Sequence, residues 1–84
     1  MTTYTTPNQS VQHFSDGYTT VVFTRPVTSL FITTATGSTR KISFDGGRQY
    51  MDLPAGVMVP FYHLHQARID LLGSGVINGM GYAC

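Results

Sequence analysis

The pattern of apolar and polar positions from Tyr18 onward is that of short β-strands separated by turns. The runs at residues 18–24 and 29–34 are rich in β-branched and aromatic residues, and Arg25-Pro26 is expected to end the first of them. Clean alternation at residues 40–44 places Ile42 and Phe44 on the inner face of a strand. Further strands are predicted at residues 49–53, 57–64, 68–72 and 75–80, which makes six or seven in all.

Turn signals separate these strands. Asp45-Gly46-Gly47 predicts a tight hairpin, because glycine adopts positive φ and an aspartate side chain caps such a turn. Residues 35–38 suit a hairpin loop, and residues 54–56 form a second tight turn that begins with proline. The Gly-Ser-Gly at residues 73–75 is expected to pair residues 68–72 with residues 75–80. This spacing is typical of a small antiparallel β-sandwich or barrel, so we predict an all-β chain.

In residues 1–16 the apolar side chains do not recur at a regular spacing. We interpret this segment as a polar, Thr-rich N-terminal arm. Two interpretations remain open, a frayed terminus or an extended arm that becomes ordered on a neighbouring subunit. In the second case Tyr4, His13 and Phe14 are the expected anchors. Residues 17–84 are predicted to form one β-sandwich domain, since the length permits no more. The first ten residues have no basic region and no apolar stretch, so no signal peptide is expected.

Composition and charge exclude several classes of protein. The 84 residues are 42% hydrophobic and 11% charged, with a formal net charge of +1. This charge argues against partners such as nucleic acid or an anionic membrane surface. The single cysteine, Cys84, cannot form an intrachain disulfide. The few charges fall at turns and strand ends, and a free domain usually carries more charge on the intervening stretches.

Histidines provide the first candidate chemistry. On a strand, His63 and His65 would face the same side and could share a metal ion. Further ligands would have to come from His13, Asp70 or Cys84, and none stands at a diagnostic spacing. We therefore interpret the two histidines as surface or interface residues and predict no metal site.

The acidic residues and possible nucleophiles give no stronger signal. Asp45 is expected to cap its turn, while Asp52 and Asp70 are expected to pair across the sheet with Arg40, Arg48 or Arg68. The Gly-Ser-Gly at residues 73–75 lacks the strand-to-helix context of a nucleophile elbow, and no phosphate-binding motif is present. We predict no catalytic residues and no cofactor.

The ten Phe and Tyr residues divide into a core set and a surface set. Phe23, Phe44, Phe61 and either Leu30 or Phe31 are predicted to be core. The tyrosines suit half-exposed positions, either in a protein interface or, for Tyr50, Tyr62 and Tyr82, in a sugar-stacking platform. The predicted interaction residues are Tyr4, His13, Phe14, Tyr50, Tyr62 and Tyr82.

Several motifs, taken together, resemble a known group of proteins. Ile42-Ser43-Phe44-Asp45-Gly46-Gly47, Tyr50, Leu53-Pro54-Ala55-Gly56 and the Gly-Ser-Gly hairpin after Leu72 resemble small β-sandwich virion proteins of tailed bacteriophages. The resemblance covers about residues 28 to 82. It implies a jelly-roll-like or immunoglobulin-like sandwich, a place in the virion after assembly in the host cytoplasm, and no catalytic residues.

The leading hypothesis is a non-enzymatic capsid decoration or cement protein. It would bind the outer shell, contact the major capsid protein or other virion proteins, and clamp neighbouring capsomers as a dimer or trimer. A head–tail connector or tail structural protein is the nearest alternative. A glycan-binding module of a virion fibre and a small metal-dependent enzyme that uses His63, His65 and Asp70 are the others.

Overall fold

The computed structural model describes residues 2–83, which form an all-β fold without a helix. The predicted fold class is therefore confirmed. No helix of these residues has the length and hydropathy needed to span a membrane. The strands are β1 (Thr3–Thr5), β2 (Val11–Ser15), β3 (Thr20–Thr34), β4 (Lys41–Ser43), β5 (Met51–Asp52), β6 (Met58–Phe61), β7 (Gln66–Leu72) and β8 (Ile77–Ala83).

All eight strands belong to one hydrogen-bonded sheet, ordered β2-β8-β3-β7-β4-β5, in which β1 and β6 also pair with β3. The 15-residue β3 changes partners along its length. Residues 20–22 pair with β1 and β7, whereas residues 29–34 pair with β8 and, over residues 30–33, with β6. We call β1, β7, β4, β5 and the first part of β3 the first half-sheet. The second half-sheet consists of β2, β8, β6 and the last part of β3.

The two half-sheets join at the middle of β3, where the register with both β7 and β8 shifts around Val27. The predicted separate strands at 18–24 and 29–34 are therefore one continuous strand. Arg25-Pro26 does not end it but lies where its ladder is interrupted, a position that tolerates proline because no hydrogen bond is lost there.

Both half-sheets contribute to a single core. The buried hydrophobic side chains are Phe14, Val21, Phe23, Val27, Leu30, Ile32, Ile42, Leu53, Ile69, Leu71 and Ile77. Phe14 meets Phe23 edge-on, with ring centroids 6.1 Å apart. Phe44 and Phe61 meet in the same way at 5.1 Å and are half-buried against the core. The sandwich-like packing thus forms within one continuous sheet, and residues 2–83 contain no separate second sheet.

The chain crosses repeatedly between the half-sheets, which corrects two predicted hairpins. Residues 35–38 do not pair β3 with β4, and residues 73–75 do not pair β7 with β8, because each of these segments crosses from one half-sheet to the other. The two crossings lie side by side, with Thr39 N–H donating to the Ser74 carbonyl at 3.0 Å. A side chain on Gly73 would overlap the Thr39 carbonyl, so glycine is required for this close approach.

The turn at Asp45 does join neighbouring strands, since β4 pairs with β5. The Asp45 carboxylate accepts hydrogen bonds from the backbone N–H groups of Arg48 and Gln49, each at 3.0 Å. Gly46 and Gly47 have φ of 77° and 91°, the left-handed conformation predicted for them. The loop is longer than a two-residue hairpin, and β5 is correspondingly short.

The predicted N-terminal arm is extended, but it is docked on its own chain. β1 runs parallel to β3, and β2 pairs with β8 from Val11–Tyr82 to Ser15–Asn78. Gln12 is fully buried, and its amide donates to the Arg25 carbonyl at 2.9 Å while accepting a hydrogen bond from Thr6. Residues 2–16 are therefore not a free arm, because their hydrogen bonds and the Phe14 side chain complete both half-sheets.

Candidate interaction face

The outward side of the second half-sheet carries a cluster of exposed and half-buried aromatic and thioether side chains. Cross-strand pairing places His13 beside Met80, and Met80 beside Phe31. Phe31 also pairs with Pro60 of β6. Because side chains alternate along a strand, Leu30 and Ile32 enter the core while Phe31 faces outward.

Two tyrosines flank Phe31. Tyr62 and Tyr82 each meet its ring edge-on, with centroids 5.8 Å apart in both pairs. Their exposed fractions are 59% for Tyr62 and 40% for Tyr82, and Met58 nearby on β6 is 57% exposed. Edge-on ring contacts hold the aromatic side chains in defined positions while leaving much of their surface in water. We name Phe31, Met58, Tyr62, Met80 and Tyr82 the aromatic face.

No charged residue accompanies these side chains. Strands β2, β6 and β8 and residues 28–34 of β3 contain no Asp, Glu, Lys or Arg. A shallow groove of about 220 Å³ runs between His13, Phe31, Met58 and Met80. An uncharged face with exposed rings and a groove is the pattern found at the buried centre of protein interfaces.

The first half-sheet has a contrasting outer side. Arg68 binds Asp70 with both its Nε and Nη2 atoms, at 3.2 and 2.9 Å. Thr20 donates to the same carboxylate at 2.8 Å. Lys41 pairs with Asp52 at 3.0 Å. We name Thr20, Lys41, Asp52, Arg68 and Asp70 the ionic face, and its polar groups are satisfied within the chain.

The predicted salt bridges are thus found in part. Asp70 pairs with Arg68 as expected, but Asp52 pairs with Lys41, its cross-strand neighbour, and not with an arginine. Arg40 is buried, and its Nη1 donates to the Gly73 carbonyl at 2.8 Å. This contact fastens the crossing at residues 73–75 to the segment directly before β4.

The predicted interaction residues separate into four places. Tyr62 and Tyr82 belong to the aromatic face, and His13 borders its groove. Tyr4 is half-buried and stacks on Tyr18, whereas Tyr50 lies in a different pocket beside β5. Phe14 is only 5% exposed and packs against Phe23, so it belongs to the core and offers no free surface.

Phe31, Met58 and Met80 were not among the predicted interaction residues. Phe31 was a candidate for the core, and the alternation with Leu30 and Ile32 is the signal that could have placed it outside. The sequence around Met58 and Met80 gives no comparable signal. Whether these side chains lie beside Phe31 depends on which strands become neighbours.

His63 and His65 do not form the predicted strand pair. Both lie between β6 and β7, both are exposed, and His63 has a φ of 60°. The other proposed ligand, Asp70, is engaged by Arg68 and Thr20. Across residues 2–83 no group of three His, Cys, Asp or Glu side chains is close enough to hold a metal ion. Cys84 lies outside the described residues.

Comparison of the chain with protein-family models, with curated proteins and with solved structures gave no match. The resemblance to phage virion proteins therefore stays a prediction. The aromatic face and the ionic face are the structural features that bear on function.

Proposed function

We propose that this chain is a non-enzymatic structural protein of a virion, which decorates the outer capsid shell through the aromatic face. The uncharged cluster in which the exposed Tyr62 and Tyr82 contact the half-buried Phe31 is the observation that supports this function best. Its partner would be an apolar surface of the major capsid protein or another virion protein, where aromatic side chains serve as anchors.

The energetics of this face favour repeated contacts. Burying an apolar area of about 100 Å² on each exposed ring contributes roughly 2–3 kcal/mol at about 25 cal/mol per Å². Association costs several kcal/mol in lost translational and rotational freedom. One copy of this face therefore binds weakly by itself. A dimer or trimer that engages several equivalent capsid sites gains avidity, which fits a clamp between neighbouring capsomers.

The free edge of β2 offers a means of forming that oligomer. β2 pairs only with β8, so its other edge has no neighbour among the described strands. Its residues Val11–Ser15 include no charged side chain, and charges on an edge are a common protection against pairing with a second chain. β6 is also an edge, but Pro60 removes one of its donors.

The copy number of the protein in purified virus particles tests the proposal. Quantitative mass spectrometry should find a number comparable to that of the major capsid protein. A number that matches a single ring of subunits would favour the head–tail connector or tail alternative. Absence from the particles would overturn the virion assignment as a whole.

The face itself is tested by binding to particles that lack the protein. Tyr82→Ser should weaken binding at least tenfold, because it removes an exposed ring that contacts Phe31. Asp52→Ser on the ionic face is the matched control and should bind normally, since Asp52 is exposed and only pairs with Lys41. Equal binding by both variants would show that the aromatic face is not the contact surface.

A glycan platform built from Tyr50, Tyr62 and Tyr82 has less support. Tyr62 and Tyr82 lie together on Phe31, but Tyr50 borders a separate pocket with Phe44. The three rings therefore do not line one site.

A further inference from the structure

A second pocket lies beside the aromatic face, where the end of β2 meets the start of β8. It has a volume of about 320 Å³ and is lined by Tyr4, His13, Phe14, Ser15, Tyr18 and Asn78. Small-molecule sites occupy roughly 300–1,000 Å³, so the pocket reaches the lower end of that range. This volume is sufficient for one small ring compound.

Several polar side chains around this pocket have no hydrogen-bond partner among the described residues. The side chains of His13, Ser15 and Asn78 form no hydrogen bond with any other described residue. The same is true of the hydroxyl groups of Tyr4 and Tyr18. A pocket with a few convergent and unused polar groups is the usual form of a small-molecule site.

Two aromatic rings give the pocket an apolar wall. Tyr4 and Tyr18 stack with centroids 4.8 Å apart and an angle of 19° between their planes. Both are half-buried against the hydrophobic core, which fixes their positions. The two stacked rings come from different parts of the chain, β1 and the link between β2 and β3, so the wall exists only in the folded protein.

We propose that this pocket binds a neutral sugar ring. The apolar C–H side of a pyranose packs against aromatic rings, whose faces carry partial negative charge. Its hydroxyl groups both donate and accept, and so do an amide, an imidazole and a serine hydroxyl. No charged side chain lines the pocket, which disfavours sialic and uronic acids. A nucleotide fits poorly, because no cation is present for its phosphate.

This site differs from the glycan platform predicted from Tyr50, Tyr62 and Tyr82, and it does not depend on the capsid proposal. Tyr62 and Tyr82 do not line it, although His13 and Asn78 border both this pocket and the groove of the aromatic face. A virion protein with such a pocket would combine attachment through one surface with recognition of a sugar through another.

Titration of the ¹⁵N-labelled protein with glucose, galactose and N-acetylglucosamine, followed by NMR, tests the proposal. A neutral sugar should shift the amide signals of Ser15, Tyr18 and Asn78 in a saturable way. A glycan array then extends the search to larger neutral glycans. The proposal is overturned if the folded protein binds no neutral glycan, or if the shifts cluster at Tyr62 and Tyr82.

Variants separate this site from the aromatic face. Ser15→Ala and Asn78→Ala should each reduce sugar affinity at least fivefold, while Tyr82→Ala, on the same strand as Asn78, should leave it unchanged. Two pocket variants are used so that loss of folding in one leaves the other informative. Unchanged affinity in both would place the sugar elsewhere, and preferential binding of an anionic sugar or a nucleotide would contradict the assigned ligand class.

Discussion

The two half-sheets share one core, yet their outer sides differ in chemistry. On the ionic face the Asp70 side chain is 8% exposed and receives hydrogen bonds from Arg68 and Thr20. The hydrogen bonds of Arg68 to Asp70 and the negative charge of that carboxylate raise the pKa of Arg68. On the aromatic face the rings of Tyr62 and Tyr82 contact Phe31, and the two residues are 59% and 40% exposed. The polar groups of the ionic face are paired within the chain, whereas the aromatic face leaves apolar surface in contact with solvent.

Removal of residues 1–16 is expected to have the largest effect, because it takes one strand from each half-sheet. β1, β2, the buried Phe14 and the Gln12 hydrogen bonds would all be lost. The truncated chain should show no cooperative thermal unfolding by circular dichroism. Asn8→Ala, in the exposed link between these strands, is the control and should unfold as the full chain does. A cooperative transition in the truncated chain would mean that the strands are dispensable after all.

Substitutions on β2 compare the inner and outer sides of a single strand. Phe14→Ala should lower the free energy of unfolding by about 3–5 kcal/mol, because it leaves a cavity beside Phe23. His13→Ala, on the neighbouring outward position, should change it by less than about 0.5 kcal/mol. Urea denaturation measures both. Comparable losses would show that the outer side also supports the fold.

The ionic face contains both a shielded and an exposed ion pair. Arg68→Met should lower the free energy of unfolding by about 1–3 kcal/mol, since the buried Asp70 carboxylate loses two hydrogen bonds. Lys41→Met should cost less than about 1 kcal/mol, because both members of that pair are exposed. Equal stability of the two variants would show that the burial of Asp70 does not strengthen its interaction with Arg68.

The smallest effect is expected at Asp45, in the loop between β4 and β5. Hydrogen bonds from the Gln49 N–H, the Ser43 hydroxyl and the Arg48 N–H lower the pKa of Asp45. The folded state therefore favours the ionised carboxylate. This contribution is complete above the unfolded pKa of about 3.9 and is lost as the pH falls through the lower folded value. Asp45→Asn should be less stable than the unaltered protein at pH 7, and the difference should disappear in acid.

The sequence predicts where most strands lie but not which of them become neighbours. The inward position of Ile42 and the turn at Asp45 are local features, and both are found in the structure, although Ser43 on the other side of the strand is buried as well. The glycines at residues 73–75 show only that the chain turns there. Whether that turn forms a hairpin or crosses to the other half-sheet depends on long-range packing, which a single sequence does not display.

The missed strand β2 has a specific cause. Its inward positions are Gln12 and Phe14, so a polar side chain occupies a place where alternation requires an apolar one. The Gln12 amide is satisfied by Thr6 and Arg25, which are close only in the folded chain. A buried polar residue whose hydrogen-bond partners lie outside its own strand interrupts the alternation of apolar and polar positions from which a strand is predicted.

The order in which the strands are assembled has a consequence for folding. β8 lies between β2 and β3, and it pairs Tyr82 with both Val11 and Ser29. Few of the pairings are local, a topology for which folding takes milliseconds to seconds. A nascent chain that ends before residue 77 leaves β2 without a partner and lacks Met80 and Tyr82. The aromatic face therefore forms only after synthesis has passed β8.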